Sequence, residues 1–456
     1  MEHKKNILVL VPDGTGIKNY LYTRLFKGEG IKRGLLHSFD KETLTEISKH
    51  FPAEYQQQIP KYKESFREKF LRELIHRARL IHNAKISSNP TILKFWGKRP
   101  KSLKLKVFYA AVIFTARFYT NYKAILRLES RYDKALRKNP FYGECRSLLE
   151  QHRPDILFCT HQRALSAPGI FMAARDLGIR TVTVIYSWDN LPKARLALRA
   201  DQYLLWSDHM FAEMQLFYPE IDSEKLVVTG TPQFEFYEHE KHLIPKDEFY
   251  AKYDLDPKKR ILCFSGDDVR TSPYDPQYLN DIAQEILDGP YKDEFQILFR
   301  RCPVDVSGRF QAVVKRFPEL IKEAPPIWNF NSKVWTTIYP ASEDIDLLVS
   351  TAFYADVVVN VGSTMAFDFG MFGKPCIFIN YDVPEASSWS VNTVYQYQHF
   401  RSMPNSSAVL WLSNKNEVNS LLKKVLLGEK TTINDWFQEV VKDPNQASEK
   451  IRKLLL

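Results

Sequence analysis

The sequence contains few cysteines, no long apolar segment and no repeated or low-complexity tract. Its five cysteines are widely spaced among 456 residues, and none has the spacing of a zinc or redox site. We therefore expect reduced thiols in a cytoplasmic protein. The longest apolar run, residues 107–116, is about half of what a membrane-spanning helix requires, and no secretory signal precedes the first predicted strand. These absences argue against a disulfide-rich secreted protein and against an integral membrane protein.

The length and the composition indicate a folded protein of two domains. A chain of 456 residues exceeds one compact core, and 44% of its residues are hydrophobic and 13% aromatic. Short apolar strands alternate with helical segments in both halves, which predicts parallel sheets covered by helices on both faces. The expected fold class is α/β, with two Rossmann-like doubly wound domains and a basic helical insertion in the first. The predicted boundaries are 1–237 for the first domain, 238–259 for a linker, 260–430 for the second domain and 431–456 for a helical tail.

Each half opens with a strand that ends in a glycine-containing turn. In the first half, strands are predicted at 7–11, 155–159, 181–186, 202–206 and 226–229. In the second half, they are predicted at 260–265, 296–300, 334–339, 357–361, 376–380 and 409–412. Folds of this class bind ligands outside the carboxyl ends of their strands. The residues that follow each strand are therefore the candidates for function.

A strongly basic segment interrupts the first half at about residues 41–150. Residues 61–140 contain 21 Lys or Arg and 5 Asp or Glu, a balance of +16, whereas the whole chain carries only +10. Aromatic residues are interleaved with these charges on helix-compatible stretches, which is typical of a segment on an anionic membrane surface or one that holds a polyanionic acceptor. A solvated basic face and a nucleic-acid site are the alternatives; we favour the membrane and expect no nucleic acid. The predicted membrane contacts are Lys98, Arg99, Lys101, Lys104 and Lys106.

The stretch 356–379 carries the strongest functional signal. Residues 357–361 are apolar on both faces, as in a buried parallel strand, and Gly362, Ser363 and Thr364 follow where a helix begins. Backbone N–H groups, two hydroxyls and the positive end of a helix dipole together can hold phosphate. Asp368 lies one turn further on the same helix face, within reach of a sugar hydroxyl. The alternative is an ordinary turn in which Ser363 or Thr364 only caps the helix.

Two features together resemble the GT-B glycosyltransferases: the segment Gly230-Thr231-Pro232 at the end of the first half, and the Ser363-Thr364 unit in the second. Within that group the chain is most similar to bacterial surface-carbohydrate transferases and CDP-glycerol-type glycerophosphotransferases. The resemblance covers most of the chain apart from the basic insertion. It implies a nucleotide diphosphate-sugar in the second domain, an acceptor in the first, and a final helix that crosses back to the first domain.

The resemblance also assigns roles around the donor. Ser363 and Thr364 would donate to its diphosphate, and Asp368 would bind the ribose or the transferred sugar. A glycine after the first strand of the second domain would let the phosphates approach the backbone, and two adjacent arginines would neutralise the leaving diphosphate. For these arginines a local salt bridge is the alternative, and with such cations present neither a metal nor another cofactor is expected. The implied donor-binding set is Gly266, Arg300, Arg301, Gly362, Ser363, Thr364 and Asp368.

The first half supplies the candidates for proton transfer. An inverting sugar transfer needs a general base beside the acceptor hydroxyl, normally Asp, Glu or His. Asp13, His161 and Asp189 each follow a predicted strand. Each has a structural alternative: Asp13 as a helix cap, Asp189 as an Asx turn, and His161 as a partner of loop carbonyls. Further residues expected on the acceptor side are Gly14, Gly16, Arg163 and Trp188, the last of which could stack on a sugar or belong to the core.

The favoured hypothesis is a metal-independent glycosyltransferase, cytoplasmic and peripheral at the inner face of the cell membrane. It would move a sugar from a nucleotide diphosphate-sugar to a lipid-linked or surface-glycan acceptor. A nucleotide-sugar 2-epimerase and a glycerophosphotransferase are alternatives on the same fold. A third alternative is a non-catalytic, nucleotide-binding scaffold that the basic insertion recruits to membranes.

Overall fold

The computed structural model describes residues 4–98, 100–119, 121–330, 338–386 and 389–456. The chain forms two compact units. The first runs up to Pro232 and also contains Tyr397–His399 and Val440–Leu456; the second comprises Gln233–Gln396 and Phe400–Glu439. Each unit is built on a parallel sheet.

Seven parallel strands form the sheet of the first unit in the part of the chain that the structure describes. Their order is β3-β2-β1-β4-β5-β6-β7. The two central strands are almost entirely apolar and buried, as expected of strands covered by helices on both faces. The strands are β1 (Lys5–Val11), β2 (Ile31–His37), β3 (Tyr55–Gln58), β4 (Ile156–Cys159), β5 (Arg180–Val184), β6 (Gln202–Leu205) and β7 (Leu226–Val228).

The helices of the first unit either cover its sheet or belong to the basic insertion. The helices before Pro232 are α1 (Lys41–His50), α2 (Phe66–Ile86), α3 (Leu103–Ala116), α4 (Tyr122–Leu136), α5 (Pro140–His152), α6 (Ala167–Asp176) and α7 (Asp208–Phe217). The long helix α2 begins at a capping box, in which Ser65 accepts from the Glu68 N–H and Glu68 accepts from the Ser65 N–H. Helices α3 and α4 pack against α2 and share a small apolar core that includes Leu74, Ala116 and Leu128. The inserted helices therefore share a packed apolar core, to which Met172 of α6 also contributes.

The predicted insertion began too early in the chain. Strand β2 and its edge neighbour β3 both join the sheet, and β3 falls inside the predicted range 41–150. These two strands were not predicted from the sequence, and the reason is physical. Strand β2 carries Lys32, Arg33 and Gly34 in succession after its first residue, and β3 is the polar sequence Tyr-Gln-Gln-Gln at a half-exposed edge. The inserted helices start only at α2.

The second unit has a six-stranded parallel sheet among its described residues, in the order β10-β9-β8-β13-β14-β15. Its strands are β8 (Arg260–Gly266), β9 (Phe295–Arg301), β10 (Ile321–Glu323), β13 (Val357–Asn360), β14 (Cys376–Ile379) and β15 (Leu410–Leu412), and a separate antiparallel pair is β11 (Trp328–Asn329) with β12 (Tyr339–Pro340). Its helices are α8 (Lys246–Lys252), α9 (Asp275–Asp288), α10 (Gln311–Arg316), α11 (Glu343–Tyr354), α12 (Met365–Gly370), α13 (Val391–Tyr395), α14 (Val418–Leu426) and α15 (Ile433–Val440). The last helix, α16 (Ala447–Leu455), belongs to the first unit. Of the strand predicted at 334–339, residues 334–337 lie outside the described residues.

Two predicted connecting segments are ordered parts of the units. Within the predicted linker 238–259, helix α8 buries Phe249, and the Ile244 N–H donates to Ser350 in α11 at 2.9 Å. The predicted tail is divided between the units. Its last part belongs to the first unit, where the Lys442 N–H donates to the Trp206 carbonyl at 2.9 Å.

Candidate functional site

An aspartate and a histidine form a close pair at the carboxyl edge of the first sheet. Asp13 follows β1 and His161 follows β4, and these strands are hydrogen-bonded neighbours. Asp13 Oδ2 lies 2.6 Å from His161 Nδ1, and both side chains are about 5% exposed. Asp13 Oδ1 is occupied by Thr15, whose N–H donates to it at 3.2 Å. The structure thus joins two of the three predicted proton-transfer residues.

The pair fixes which ring nitrogen of His161 can act on a substrate. Because Nδ1 faces the Asp13 carboxylate, the neutral ring carries its proton there and its lone pair on Nε2. Within the described residues Nε2 makes no hydrogen bond, and the Tyr186 ring holds the imidazole edge-on at a centroid distance of 4.5 Å. The arrangement is that of a general base oriented by a carboxylate.

A glycine lets the two strand-end loops approach each other. A Cβ atom on Gly16 would lie 2.2 Å from Oγ1 of Thr160, the residue before His161. Any side chain at this position would therefore push the loop after β1 away from the loop after β4. Gly14 lies in the same turn, where its carbonyl accepts from the Ile17 N–H at 3.3 Å. The predicted acceptor-side glycines shape the loop that presents Asp13.

Asp189 is placed differently from the first two candidates. Its carboxylate accepts from Lys193, and from the side chains of Ser187 and Asn190 at 2.9 and 2.8 Å. Burial raises the pKa of Asp189, but the nearby Lys193 and His399 outweigh it and hold the pKa below the ordinary range. A carboxylate held this firmly in its ionised form is a weak proton acceptor. This is the turn-forming alternative for Asp189, and Asp13 and His161 stay the candidates for proton transfer.

Two other acceptor-side residues occupy interior positions. Trp188 is 7% exposed and packs edge-on against His399 at a ring distance of 4.6 Å, so its predicted stacking on a sugar is replaced by a core contact. Arg163 does not contact the Asp13–His161 pair; it lines a cavity next to the inserted helices. Its neighbour in sequence, Gln162, instead bonds Asn190 at 3.1 Å and ties the loops after β4 and β5 together.

The predicted donor loop follows β13 in the second unit. Gly362 has φ +65°, a conformation that favours glycine, and a Cβ there would meet the Phe400 ring at 2.7 Å. The Ser363 N–H donates to Asn360 Oδ1 at 2.8 Å, and Ser363 Oγ accepts weakly from the Met365 N–H at 3.4 Å. Among the described residues, nothing accepts from the N–H groups of Gly362 and Thr364. The loop therefore presents two N–H groups without acceptors and the exposed hydroxyl of Thr364, which is the N-cap residue of the helix that follows.

Other members of the predicted donor set have partners within the second unit. Asp368 accepts from the Tyr237 hydroxyl at 2.5 Å, which ties one carboxylate oxygen to the protein. Gly266 makes room for a ring, because a Cβ there would lie 2.7 Å from Phe310. Arg301 Nη1 donates to the carbonyls of residues 302, 303 and 305, at 3.3, 3.3 and 2.9 Å, and so shapes the loop after β9.

Arg300 forms a buried ion pair instead of a donor contact. Its Nη2 donates to both carboxylate oxygens of Asp344, at 2.8 and 3.0 Å, and both side chains are nearly inaccessible. Asp344 also accepts from Trp328 Nε1 at 2.8 Å. The prediction of phosphate binding by Arg300 is therefore corrected to the local salt bridge. No sequence signal near Arg300 identifies a partner 44 positions away.

Replacing Asp344 by asparagine is expected to destabilise the second unit. The change leaves the Arg300 guanidinium buried without its counter-charge, a loss that typically costs about 3–5 kcal/mol of folding free energy. Urea unfolding followed by tryptophan fluorescence measures it. The matched control is Asp254→Asn, since the Asp254–Lys322 pair has an aspartate that is 87% exposed and should cost under about 1 kcal/mol. Equal losses in the two variants would contradict the assignment.

Sequence reasoning missed a pair of aspartates beside the donor loop. Asp267 directly follows β8, whose neighbour in the sheet is β13, and its N–H donates to Asp275 Oδ2 at 2.6 Å. Burial and the nearby Asp275 raise the pKa of Asp267 to about 7, and burial raises that of Asp275 to about 6. Arg309 binds the Asp267 carbonyl at 2.6 Å. The run Gly266-Asp267-Asp268 after a predicted strand was the available signal.

The raised pKa of Asp267 predicts a pH-dependent stability. The folded protein holds this proton from the unfolded pKa of 3.8 up to about 7, so the contribution of Asp267 to stability falls as pH rises through this window. Asp267→Asn removes the effect, so the stability of the variant relative to the wild type should increase by roughly 2.5 kcal/mol from about pH 5 to pH 8. Chemical denaturation at both pH values measures the difference. A wild-type and variant difference that does not change with pH would show that Asp267 titrates normally.

The five predicted membrane contacts differ in where their side chains lie. Lys98 forms an ion pair with the buried Glu73 at 2.9 Å, so it points into the unit and is withdrawn from the set. Lys101, Lys104 and Lys106 are exposed, and Arg99 lies outside the described residues. In the described ranges, no helix is long and apolar enough to cross a membrane. Nor do three His, Cys, Asp or Glu side chains cluster there as a metal site would require.

Solved structures resemble this chain over nearly its whole length. UDP-GlcNAc 2-epimerase of Neisseria meningitidis, solved with UDP-GlcNAc, aligns with a TM-score of 0.51 at 11% identity and covers 99% of both chains. A putative UDP-N-acetylglucosamine 2-epimerase of Listeria monocytogenes gives 0.54 at 10% identity, with 98% of this chain and 95% of that one covered. A glycosyltransferase of Rickettsia africae gives 0.50 at 12% identity, with 99% and 93% covered.

At these identities the likeness establishes the fold. No protein-family model matches the sequence, and no curated protein matches it. The predicted fold class is confirmed by the two parallel sheets and by the structures that they resemble. This chain has the two-domain α/β architecture of the GT-B type.

Proposed function

We propose that this protein is an enzyme that acts on a nucleotide diphosphate-sugar. The observation that carries the proposal is the Asp13–His161 pair, a carboxylate-oriented imidazole at the sheet edge where such folds bind ligands. Support comes from the fold shared with enzymes whose names specify UDP-GlcNAc. In this proposal His161 Nε2 accepts a proton from the substrate, and Asp13 compensates the positive charge that then develops on the ring.

The donor's diphosphate is assigned to the loop after β13. Two N–H groups without acceptors, those of Gly362 and Thr364, and the exposed Thr364 hydroxyl supply donors for its oxygens. Ser363 shapes the loop through Asn360 and adds its own hydroxyl. Because Arg300 is no longer in the donor-binding set, backbone N–H groups and hydroxyls would bind the diphosphate. That the reaction needs no metal remains a proposal.

Two reactions have specific support. 2-Epimerisation, an alternative at the sequence level, is supported by the comparisons, since two of the three structures described above are 2-epimerases by name. Sugar transfer is supported by the site, because inversion at C2 needs proton transfer on both faces of the sugar, whereas transfer needs one base at an acceptor hydroxyl. Among the described residues, Asp13–His161 is the one pair assigned to that task. Glycerophosphotransfer remains the alternative drawn from the resemblance.

One experiment separates the reactions. The protein is incubated with UDP-, GDP-, CDP- and TDP-sugars without any acceptor, and the products are followed by proton NMR. An epimerase interconverts the donor by itself, whereas a transferase turns over only when a polyprenyl-diphosphate or glycan acceptor is added. CDP-glycerol tests the glycerophosphotransferase. Binding of a nucleotide without turnover of any donor would leave the non-catalytic scaffold.

We also propose that helix α3 holds the protein on an anionic membrane surface. Its exposed face is an apolar stripe of Leu103, Val107, Ala110, Ala111 and Phe114, continued by Phe118 beyond the helix end. The stripe residues recur every three or four positions, and the four largest side chains are 61–76% exposed. Val112 and Ala116 on the opposite face are buried. A contiguous stripe of exposed apolar side chains marks an interaction surface.

Positive charge beside the stripe supports an anionic partner. Lys101, Lys104 and Lys106 are exposed around the start of α3, and Arg117 is exposed near its end. An apolar stripe flanked by cations matches the boundary between acyl chains and anionic headgroups. This placement supports a lipid-linked or surface-glycan acceptor at the inner, cytoplasmic face of the membrane. We call these three lysines and the stripe the α3 surface.

A further inference from the structure

A cavity of about 90 Å³ lies inside the first unit, where the inserted helices meet the sheet-bearing part. Helices α2 and α4 form one wall, and the segments that follow β4 and β5 form the other. One water molecule needs about 10–15 Å³ of such space, so a phosphate-sized group fits. Neither Asp13 nor His161 contributes to the walls. The cavity is therefore distinct from the proton-transfer pair.

The cavity is strongly cationic, and not all of this charge is balanced. Three of its five arginines are paired with glutamates at 2.6–3.1 Å. Among the described residues, Arg163 and Arg195 have no carboxylate at ion-pair distance, and the buried Arg163 Nε has no acceptor. The five arginines of the lining are Arg72, Arg79, Arg163, Arg195 and Arg199.

Other titratable groups in the lining do not cancel the two free arginines. Asp133, a further carboxylate of the lining, forms no ion pair with Arg163 or Arg195 among the described residues, although burial raises its pKa. Burial and the Arg195 charge hold the pKa of His76 well below its ordinary value, so the neutral ring adds no charge. Burial and the charge of Arg163 lower the pKa of Arg195 to about 10. Two guanidinium groups thus repel each other in a partly dry space.

We propose that this cavity binds a phosphate or diphosphate group through Arg163 and Arg195. A guanidinium presents paired donors that match phosphate oxygens, and a doubly charged anion compensates both cations at once. Arg163 lies two residues after His161 on the loop that follows β4. A ligand held here is therefore attached to the loop that carries the proton-transfer residue, as a phosphate-bearing second substrate would be. The proposal stands on the first unit alone and does not need the donor assignment.

The test measures thermal stabilisation by inorganic phosphate and by pyrophosphate. Both should raise the melting temperature of the wild type, because a ligand that binds the folded state stabilises it. The rise should persist in the donor-loop variant Ser363→Ala with Thr364→Ala, and adding Arg163→Gln and Arg195→Gln to that variant should remove most of it. Without ligand, the arginine double variant should melt no lower than the wild type, because it relieves the repulsion. The control is Arg131→Gln, an exposed arginine of α4, which should respond as the wild type does.

The outcomes decide the proposal. An unchanged anion effect in the arginine double variant, or no effect in the wild type at millimolar pyrophosphate, overturns it. If the double variant does not fold, Arg195→Lys keeps the charge but loses the paired donors, and it should weaken the stabilisation severalfold. The same measurement with a short-chain polyprenyl diphosphate tells whether the bound group belongs to a lipid or is a free anion. A larger stabilisation than pyrophosphate gives indicates a lipid-linked group, and a smaller one indicates a free anion.

Discussion

Replacing His161 by glutamine is expected to lower turnover of a nucleotide diphosphate-sugar by about 10²–10⁴-fold, the usual loss when a general base is removed. Glutamine retains the size and polarity of the ring but cannot accept the substrate proton. Asp13→Asn should cause a loss of similar order, because an amide at 2.6 Å from Nδ1 no longer fixes the ring tautomer. Initial rates at saturating donor measure both effects, and the Michaelis constant should change much less than kcat.

A second histidine–aspartate pair provides the matched control. His242 Nδ1 lies 2.7 Å from Asp346 Oδ1 in the second unit, in a pair to which we assign no chemistry. His242→Gln should leave kcat within a factor of a few. Added imidazole should restore part of the rate to His161→Ala, which a purely structural role would not allow. If His161→Gln and His242→Gln have equal kcat values, His161 is not the base.

Reversing three lysine charges on the α3 surface is expected to abolish binding to anionic vesicles. Each lysine near such a surface contributes about 1 kcal/mol, so Lys101→Glu, Lys104→Glu and Lys106→Glu together should weaken binding by about 100-fold or more. Phe114→Ala with Phe118→Ala should weaken it by a comparable factor, since a buried phenylalanine contributes about 1.5–3 kcal/mol. Vesicle co-sedimentation, with and without phosphatidylserine, measures both variants.

The control reverses three exposed lysines of the second unit, Lys292, Lys315 and Lys430, so that the change in net charge is identical. If α3 is the contact, this control retains binding, and higher salt weakens the wild type. Equal losses in the two triple variants would show that only the net charge matters. Retention of binding by the α3 variants would contradict the surface altogether.

Strand-end residues could be predicted from the sequence, but their partners could not. Asp13 and His161 both follow apolar strands, so their place at the carboxyl edge of a sheet was predictable. That β1 and β4 are neighbours depends on the order of strands. The polar strand β3 and the Lys32-Arg33-Gly34 run of β2 gave no periodic signal. The contact across 148 positions therefore appears only in the folded chain.

The donor region shows the same limit. The glycine turn at 362–364 was predictable because a buried strand leads directly into it. Arg300 also ends a strand, but its charge is buried and its partner Asp344 comes from a helix that the sequence places elsewhere. Sequence alone does not tell whether a strand-end arginine faces a ligand or an internal carboxylate. The cationic cavity likewise requires the inserted helices to pack on the segments after β4 and β5.

Calorimetric titration of UDP, GDP, CDP and TDP tests the central claim, that the loop after β13 holds the diphosphate of an activated sugar donor. We predict saturable binding of at least one of these nucleotides to the wild type. Loss of two charge-assisted hydrogen bonds should weaken it at least about tenfold in Ser363→Ala with Thr364→Ala. Equal affinity in the variant, or no nucleotide binding by the folded wild type, would contradict the account.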